Sequence, residues 1–383
     1  MKVTQLFTEF FESEKASGIV LILCTVLSLL LANSMFQESY EAIWHYQLGH
    51  HSVEYWINDG LMTIFFLLIG LELEREIYIG ELSSVKNALL PVIAAVGGML
   101  VPAGIYMIFN YGTLTQAGAG IPMATDIAFA LGVLSLLGSR VPTSLKVFLT
   151  ALAVIDDLGA ILVIAIFYTD NLSLLNLGIA LGIMGVLFVF NRMKVNNWIP
   201  YILGGIGMWY FMLNSGIHAT IAGVLLAFVI PFGDGTKKTI SYSLQHFLHK
   251  PVAFVILPLF ALANTAVIFG GDWVEGLTYE NSIGIFLGLV LGKPIGIFLF
   301  CLLFVTLGVC KLPEDLRWKQ IIGTGFLAGI GFTMSIFITL LAFKGQPEDV
   351  TISKIAILIS SLVAGIIGYT FLSISLKKGN KVE

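Results

Sequence analysis

The sequence predicts an all-α polytopic membrane protein, because its composition and its long uncharged stretches both suit a lipid environment. Of its 383 residues, 57% are hydrophobic and 11% are charged, and the mean hydropathy is +0.93. A soluble domain keeps roughly a quarter of its residues charged, so too few remain here to cover a water-facing surface. Residues 174–190 carry no charge. Runs of about 20 apolar residues span a hydrocarbon core, and the chain contains about twelve such segments.

Lysine and arginine recur in every second connection between the apolar segments. By the positive-inside rule these basic connections face the cytoplasm, and lysines near both ends place both termini there as well. Lys344 and Lys354, which flank the last outer connection, are exceptions. The intervening connections contain no lysine or arginine, and they are residues 37–58, 111–120, 170–172, 214–216 and 270–281. The basic connections contain Arg75, Lys86, Arg140, Lys146, Arg192, Lys194, Lys237, Lys238, Lys250, Lys311, Arg317 and Lys319.

The whole chain, residues 1–383, is predicted to form a single integral membrane domain. Its longest connection, residues 37–58, is too short to build a hydrophobic core of its own. Within this connection a turn-like centre lies between strand-compatible flanks, which weakly indicates a hairpin.

Two of the apolar spans carry helix-breaking residues near their middle. One contains Pro122 and Asp126, and the other, within residues 323–333, contains four glycines. Close helix packing through small residues explains either segment taken alone. The two segments nevertheless occupy equivalent places, each in the middle of three spans, over residues 88–168 and 283–375. Paired interruptions of this kind favour an inverted repeat with an ion site at the breaks.

Four ionisable residues lie deep inside apolar segments: Asp126, Asp156, Asp157 and Lys293. A charge at the bilayer centre costs several kcal/mol, so such residues are functional by default. Asp126 and Lys293 either compensate the partial charges of helix ends or take part in transport. Successive residues of a helix lie about 100° apart, so one of the adjacent aspartates can face a cavity while the other pairs with Lys293.

The side chains in these segments suit a small alkali cation such as Na⁺. The carboxylates of Asp156 and Asp157, the hydroxyl of Thr125 and the carbonyl groups freed at the breaks are hard oxygen ligands. The chain contains no cluster of cysteine and histidine that suits a transition metal. Residues 288–294 resemble a phosphate loop only superficially, since the spacing is short and Pro294 replaces the required hydroxyl. No nucleotide or nucleic-acid partner is predicted, and ion gradients must drive any pumping.

Other titratable residues are candidates for a response to pH. Glu72 and Glu76 end the second span at its cytoplasmic side, where they form either a pH-responsive funnel or a solvated helix end. His218, which precedes a helix, is either an interfacial residue or a proton relay. His246 lies in a cytoplasmic segment with the same two interpretations.

Several motifs, taken together, resemble the NhaA-type sodium/proton antiporters. The likeness extends from about residue 10 to residue 375 and is specific because of this combination. The motifs are FFLLIGLE (65–72), ATDIAFALG (124–132), AVIDDLGA (153–160), SGIHAT (215–220), GKPIG (292–296) and GIGFTMSIF (329–337).

The resemblance implies a fold of twelve helices in which two broken helices, the fourth and the eleventh, cross each other. Asp157 then looks like the principal carboxylate for cation and proton, and Asp156 like its partner, ion-paired with Lys293 when no sodium is bound. Asp126 and Thr125 look like the broken-helix residues near the site.

The resemblance also implies electrogenic exchange across a bacterial inner membrane, without a cofactor, and roles in sodium and pH homeostasis. Residues 37–58 look like the hairpin through which members of the family dimerise, so membrane lipids and a second copy of the chain are the expected partners. Where close relatives place a glutamate in a pH-sensing segment, this chain has Gln245. Control by pH is therefore absent or depends on Glu72, Glu76 and the histidines.

The sequence thus predicts a secondary active transporter, not an enzyme, that exchanges Na⁺ or Li⁺ for H⁺ by alternating access. Sodium and protons compete for the same carboxylates, so that loading one ejects the other. Two other classes of protein share part of the pattern. An intramembrane aspartyl protease also uses two aspartates, but it needs neither a buried lysine nor paired helix breaks. A passive channel needs no alternating site.

Overall fold

A computed structural model describes residues 2–169, 172–233, 239–270 and 273–376. Lys237, Lys238 and the C-terminal tail from residue 377, which contributed to the predicted orientation, lie outside these ranges. The described chain is helical, with one short β-ribbon. The α-helices are α1 (Lys2–Ala32), α2 (Gln37–His45), α3 (Val53–Tyr55), α4 (Met62–Tyr78), α5 (Val85–Asn110), α6 (Ile127–Ser135), α7 (Thr143–Phe167), α8 (Leu174–Arg192), α9 (Trp198–Leu213), α10 (Ile221–Ala227), α11 (Ile240–Pro251), α12 (Leu257–Asn264), α13 (Trp273–Gly276), α14 (Glu280–Leu287), α15 (Lys293–Thr306), α16 (Trp318–Ala328), α17 (Phe332–Ala342) and α18 (Pro347–Ser375).

Three pairs of these helices are continuous through a short π-helical segment. The segments are Trp56–Leu61 between α3 and α4, Val252–Ile256 between α11 and α12, and Gly288–Gly292 between α14 and α15. Each pair therefore forms one long, continuous helix. Single π-turns inside helices shift the register of the backbone hydrogen bonds without ending the helix.

In the described ranges, nine helices are long and apolar enough to cross a membrane, or ten when the bent pair α16–α17 is counted as one span. A rise of 1.5 Å per residue allows helices of 18 residues or more to traverse most of the hydrocarbon core. The predicted all-helical, multi-pass membrane architecture is confirmed at this level. α9, with 16 residues, is apolar but shorter.

The chain forms two compact units. The first contains residues up to Leu29, residues Ser84–Ala160 and residues from Val267 onward. Within it, α5 packs against α14 and α15, and α16 packs against α15 and α18. The contact of α5 with α15 is very close, because a Cβ on either Gly97 or Gly296 would collide with the carbonyl oxygen of the other. Small residues let two helix backbones approach in this way in membranes.

The second unit contains Leu30–Ser83 and Ile161–Ala266. In it α4 packs against α10, and α8 packs against α9. The β-ribbon also belongs to this unit: β1 (Gln47–Leu48) pairs with β2 (His51–Ser52) in antiparallel register. Gly49 in its turn adopts φ +74°, a left-handed conformation that glycine takes at little cost.

Candidate ion-binding site

Two helices of the first unit are interrupted in the middle. A 3-10 helix, Gln116–Met123, contains Pro122 and leads through non-helical residues to α6. In the other interruption α16 ends at Ala328, α17 begins at Phe332, and the two helices are bent by 48°. Proline lacks an amide donor and glycine has a flexible backbone, which explains why these segments leave helical geometry. Each break frees backbone groups and helix ends inside the apolar region.

Asp126 connects the two interruptions. Its Oδ1 accepts a hydrogen bond from the backbone N–H of Phe129 at 2.9 Å and so caps α6. Its Oδ2 accepts from both the backbone N–H of Thr333 at 3.1 Å and the Thr333 hydroxyl at 2.5 Å, in the first turn of α17. The backbone N–H of Asp126 donates to the carbonyl of Ile330 at 2.7 Å. One carboxylate therefore lies against the partially positive starts of two half-helices.

Lys293, Asp156 and Thr125 form a fully buried cluster beside these breaks. Lys293 Nζ donates to Asp156 Oδ2 at 2.5 Å and to Thr125 Oγ1 at 2.9 Å. All three residues are 0% exposed. Buried charges need such pairing and additional hydrogen bonds, because desolvation of an isolated charge is costly.

The hydroxyl of Thr125 has two acceptors within reach and a single proton. Its Oγ1 lies 2.8 Å from Asp156 Oδ2 and 2.9 Å from the carbonyl oxygen of Ala328, at the end of α16. A threonine hydroxyl donates one hydrogen bond at a time and accepts through its lone pairs. Thr125 can therefore turn its proton toward the backbone and offer lone pairs to a cation without losing its hydrogen bond.

Asp157 follows Asp156 on α7 and is 1% exposed. Oδ1 of Asp156 is buried and has no hydrogen-bond partner among the described residues. Two adjacent carboxylates, a hydroxyl and a freed carbonyl thus supply oxygen ligands of the kind that hard cations prefer. Protons compete for the same carboxylate oxygens.

The structure brings Thr125, Asp156 and Lys293 into direct contact, with Asp157 next to them on α7 and Asp126 next to Thr125. The residues predicted to respond to pH belong to the second unit. There Glu72, Glu76 and His218 are partly buried, whereas His246 is exposed and stacks on Tyr242.

Two groups that the structure makes prominent were not predicted individually from the sequence. The hydroxyl of Thr333 donates a hydrogen bond to Asp126, and the carbonyl of Ala328 accepts one from Thr125. These two groups flank the glycine-rich break. A hydroxyl in the first turn after a break is a signal that points to such a cap. In the second unit, Glu74 is only 4% exposed and accepts a hydrogen bond from Ser241 at 3.4 Å. The sequence places Glu74 at the same helix end as Glu72 and Glu76, with the same two interpretations.

A helical chain with many apolar spans and a buried acid–lysine pair defines a polytopic membrane transporter, because ionisable side chains inside spans mark ion pathways. Comparison with known sequences gives the family. The sequence model described as "Na+/H+ antiporter 1" matches residues 8–372, and the chain belongs to this family.

Relatives of known name extend over nearly the whole chain. A Na⁺/H⁺ antiporter NhaA from Flavobacterium psychrophilum is 65% identical over 379 residues, 98% of each chain. NhaA from Cytophaga hutchinsonii is 63% identical over 99% of this chain and 97% of the relative. NhaA from Dechloromonas aromatica is 58% identical over 99% of this chain and 98% of the relative. The family is one of transporters, so the chain is a transporter and not an enzyme.

A solved structure with a similar fold is that of the sodium proton antiporter MjNhaP1 from Methanocaldococcus jannaschii. It matches with a TM-score of 0.58 over 97% of this chain and 100% of that chain, at 16% identity. At this identity the likeness concerns the fold alone.

Proposed function

We propose that this protein is a sodium/proton antiporter that exchanges Na⁺, or Li⁺, for H⁺ at the buried cluster of Asp156, Asp157 and Thr125. Membership in the Na⁺/H⁺ antiporter family supports the exchange of these two ions. The observation that carries the choice of site is the contact of Lys293 with Asp156 and Thr125, since all three side chains are fully buried. Burying such a cluster in a membrane costs free energy, so a role in ion movement is the default interpretation.

The proposed chemistry is competition for carboxylate oxygens. Sodium binds between Asp156 and Asp157 and takes Asp156 away from Lys293. The hydroxyl of Thr125 turns toward the Ala328 carbonyl and presents a lone pair to the cation. Protons leave as sodium enters and return when it departs, so that a gradient of either ion drives the other. No cofactor takes part.

Electrogenic exchange requires that more than one proton leaves for each sodium ion. Asp157 supplies the first of these protons. Lys293 supplies the second, because loss of its ion pair leaves an ammonium in a low-dielectric environment, which favours release of the proton. The competing source is Asp156 itself, with Lys293 acting only as a structural charge.

Alternating access requires that the site open to one side of the membrane at a time. We assign this to an inverted repeat over residues 88–168 and 283–375, with the two broken helices crossing at the site. The Asp126 carboxylate, which accepts hydrogen bonds at the starts of both α6 and α17, supports this assignment. The proposed count of twelve spans takes the nine long helices of the described ranges together with the bent pair, α9 and the segment that contains the seven-residue α10.

We place both termini on the cytoplasmic side of a bacterial inner membrane, following the distribution of basic residues. Residues 37–58 join two copies of the chain, an assignment supported by exposed apolar side chains on and beside their ribbon, Leu48 at 57% and Tyr46 at 66%. Sodium and pH homeostasis follow from the exchange.

A response to pH, where present, uses Glu72, Glu76, His218 and His246. Gln245 is uncharged, so it contributes no titrating carboxylate to the segment that carries His246. These four residues all lie in the second unit.

The test is proton movement in everted membrane vesicles. Vesicles acidified by respiration should lose their pH gradient when Na⁺ is added, because protons leave as Na⁺ enters. In the reverse direction, an outward Na⁺ gradient should drive protons into the vesicles against their own gradient. An intramembrane protease would leave the gradient unchanged. A channel would conduct sodium without moving protons against their gradient. Either of the last two results contradicts the proposed function.

A further inference from the structure

The π-helical turn Gly288–Gly292, which leads into α15, is followed closely by a proline. Its last hydrogen bond runs from the backbone N–H of Lys293 to the carbonyl of Gly288, five residues earlier. The next residue, Pro294, has no N–H to donate. The carbonyl of Leu289 therefore lacks both of the amides that satisfy a carbonyl in α- or π-geometry. Leu289 is 0% exposed, and a buried carbonyl without its usual donor calls for an explanation.

A second π-turn of the described chain has the same arrangement. In the segment Val252–Ile256, the backbone N–H of Leu257 donates to the carbonyl of Val252, and Pro258 follows. In an α-helix the ring of a proline collides with the carbonyl four residues earlier, and its missing N–H removes one hydrogen bond. A proline at this place therefore favours the π-turn before it over an α-turn.

The turn Gly288–Gly292 lies against both interruptions of the ion-binding site. A Cβ on Gly288 would lie 2.7 Å from the Cβ of Pro122, in the first interruption. A Cβ on Gly329, in the second interruption, would collide with the carbonyl oxygen of Leu289. Gly329 directly follows the residue whose carbonyl accepts a hydrogen bond from Thr125. The π-turn is thus packed between the two broken segments that carry the site.

The register of this turn decides where Lys293 points. Successive residues of an α-helix lie about 100° apart, so conversion of the π-turn to α-geometry would rotate the residues after it by about that angle relative to those before it. In the present register Lys293 Nζ donates to both Asp156 and Thr125. These contacts are hydrogen bonds, which are lost when donor and acceptor move apart by about 1 Å.

We propose that Pro294 is a positioning residue, which holds the π-turn and thereby directs Lys293 to Asp156. Packing against the two interruptions places the turn, and the proline keeps it from relaxing to α-geometry. The inference rests on the proposed function, since it assumes that the pairing of Lys293 with Asp156 is part of the exchange cycle.

The experiment measures Na⁺-driven proton movement, and its response to an imposed potential, in proteoliposomes. Pro294→Ala supplies an amide and removes the ring, so that the turn can convert and Lys293 can leave Asp156. The kcat/KM for Na⁺ should fall about tenfold or more, because misplacing a functional group by about 1 Å can cost about 100-fold. The remaining exchange should not respond to voltage, as expected for Lys293→Gln.

Pro258→Ala is the matched control. It makes the same change after the π-turn of the second unit, whereas Thr125, Asp156 and Lys293 all belong to the first unit. Its kcat/KM should remain within about twofold of the wild-type value, and its voltage response should be kept.

Thermal unfolding in detergent tests whether Pro294 acts through Lys293. Lys293→Gln should lower the unfolding temperature of the wild type, because Asp156 loses its partner. In the Pro294→Ala background the pair is already broken, so the same substitution should lower the unfolding temperature by less than about half as much. Additive shifts would show that the two residues act independently, and they overturn the inference even where exchange is too slow to measure.

Unchanged exchange and voltage response in Pro294→Ala overturn the inference, and so does an equal defect in Pro258→Ala. If Pro294→Ala does not insert, Pro294→Ser, which also restores the amide, takes its place. Failure of both to insert, where Pro258→Ala inserts, assigns the proline to folding and overturns the positioning role.

Asp157→Asn separates this inference from the proposed function. Exchange that persists in Asp157→Asn overturns the buried aspartate site. Loss of exchange there, together with normal exchange and voltage response in Pro294→Ala, overturns the role of Pro294 alone.

Discussion

Lys293 Nζ lies 2.5 Å from Oδ2 of Asp156, and neither side chain is exposed. Removing two charges from water costs several kcal/mol for each ion, and their attraction offsets this only with good geometry and additional hydrogen bonds. Thr125 accepts a hydrogen bond from Lys293, and its own hydroxyl is placed to donate one to Asp156. In the proposed mechanism, a cation that binds Asp156 leaves Lys293 with an uncompensated buried charge. The proposed mechanism couples this exchange of partners at Asp156 to the release of a proton from Lys293.

Lys293→Gln should weaken exchange and abolish its response to membrane voltage. If only Asp157 traded its proton for sodium, one cation would replace another and the cycle would ignore voltage. Moving one net charge through 100 mV is worth about 2.3 kcal/mol. Exchange by the wild type in proteoliposomes should therefore respond to an imposed potassium diffusion potential, whereas exchange by the variant should not.

Lys319→Gln, at an exposed lysine of α16, is the control for a general loss of positive charge. It should keep the voltage response. If Lys293→Gln remains voltage-driven, Asp156 carries the second proton and the lysine is a structural charge. Thermal stability in detergent should be measured for each variant, since Asp156 loses its ion-pair partner in Lys293→Gln.

Asp157→Asn should abolish sodium-driven proton movement while the protein still inserts into the membrane. The substitution keeps the size of the side chain and removes the titratable charge at a position that is 1% exposed. Asp315→Asn, at an exposed aspartate that accepts a hydrogen bond from Ser144, is the matched control and should transport normally. Full activity of Asp157→Asn would rule out the mechanism.

Asp126→Asn should weaken exchange and lower thermal stability without abolishing transport. The amide can still cap α6 through its oxygen, but its NH₂ group cannot accept from the N–H and hydroxyl of Thr333. Leaving these groups unsatisfied costs about 1–3 kcal/mol. Thr333→Val removes only the hydroxyl donor and should cost less stability. Complete loss of sodium binding by Asp126→Asn, with thermal stability intact, would instead identify Asp126 as a cation ligand.

Gly296→Ala should destabilise the protein through the contact of α5 with α15. The added Cβ would meet the carbonyl of Gly97, and backbone cannot move aside as a flexible side chain can. Overpacking of this kind costs about 1–3 kcal/mol, which should lower the unfolding temperature in detergent. Gly104→Ala on α5, where nothing lies within 4 Å of the new Cβ, should be neutral or slightly stabilising. Equal effects of the two variants would contradict a close helix contact.

Much of the fold follows from local properties of the chain. Residues 174–190 are apolar and uncharged, and they form the regular helix α8 because helical backbone satisfies its own hydrogen bonds in lipid. Pro122 and the glycines of residues 323–331 correctly indicated where helices are interrupted. The π-helical segments of three long helices were not predicted. They depend on packing between helices, which composition does not encode.

The sequence by itself determined that the chain crosses a membrane, which residues are charged inside it, and where two helices break, because hydrophobicity, charge and backbone preference are properties of short segments. Only the tertiary structure decided that Thr333 binds Asp126 and that Thr125 lies between Lys293 and Asp156. Lys293 and Asp156 are 137 residues apart in the chain. The contact between them arises from helix packing, and a hydrogen bond forms only when packing brings donor and acceptor to about 3 Å.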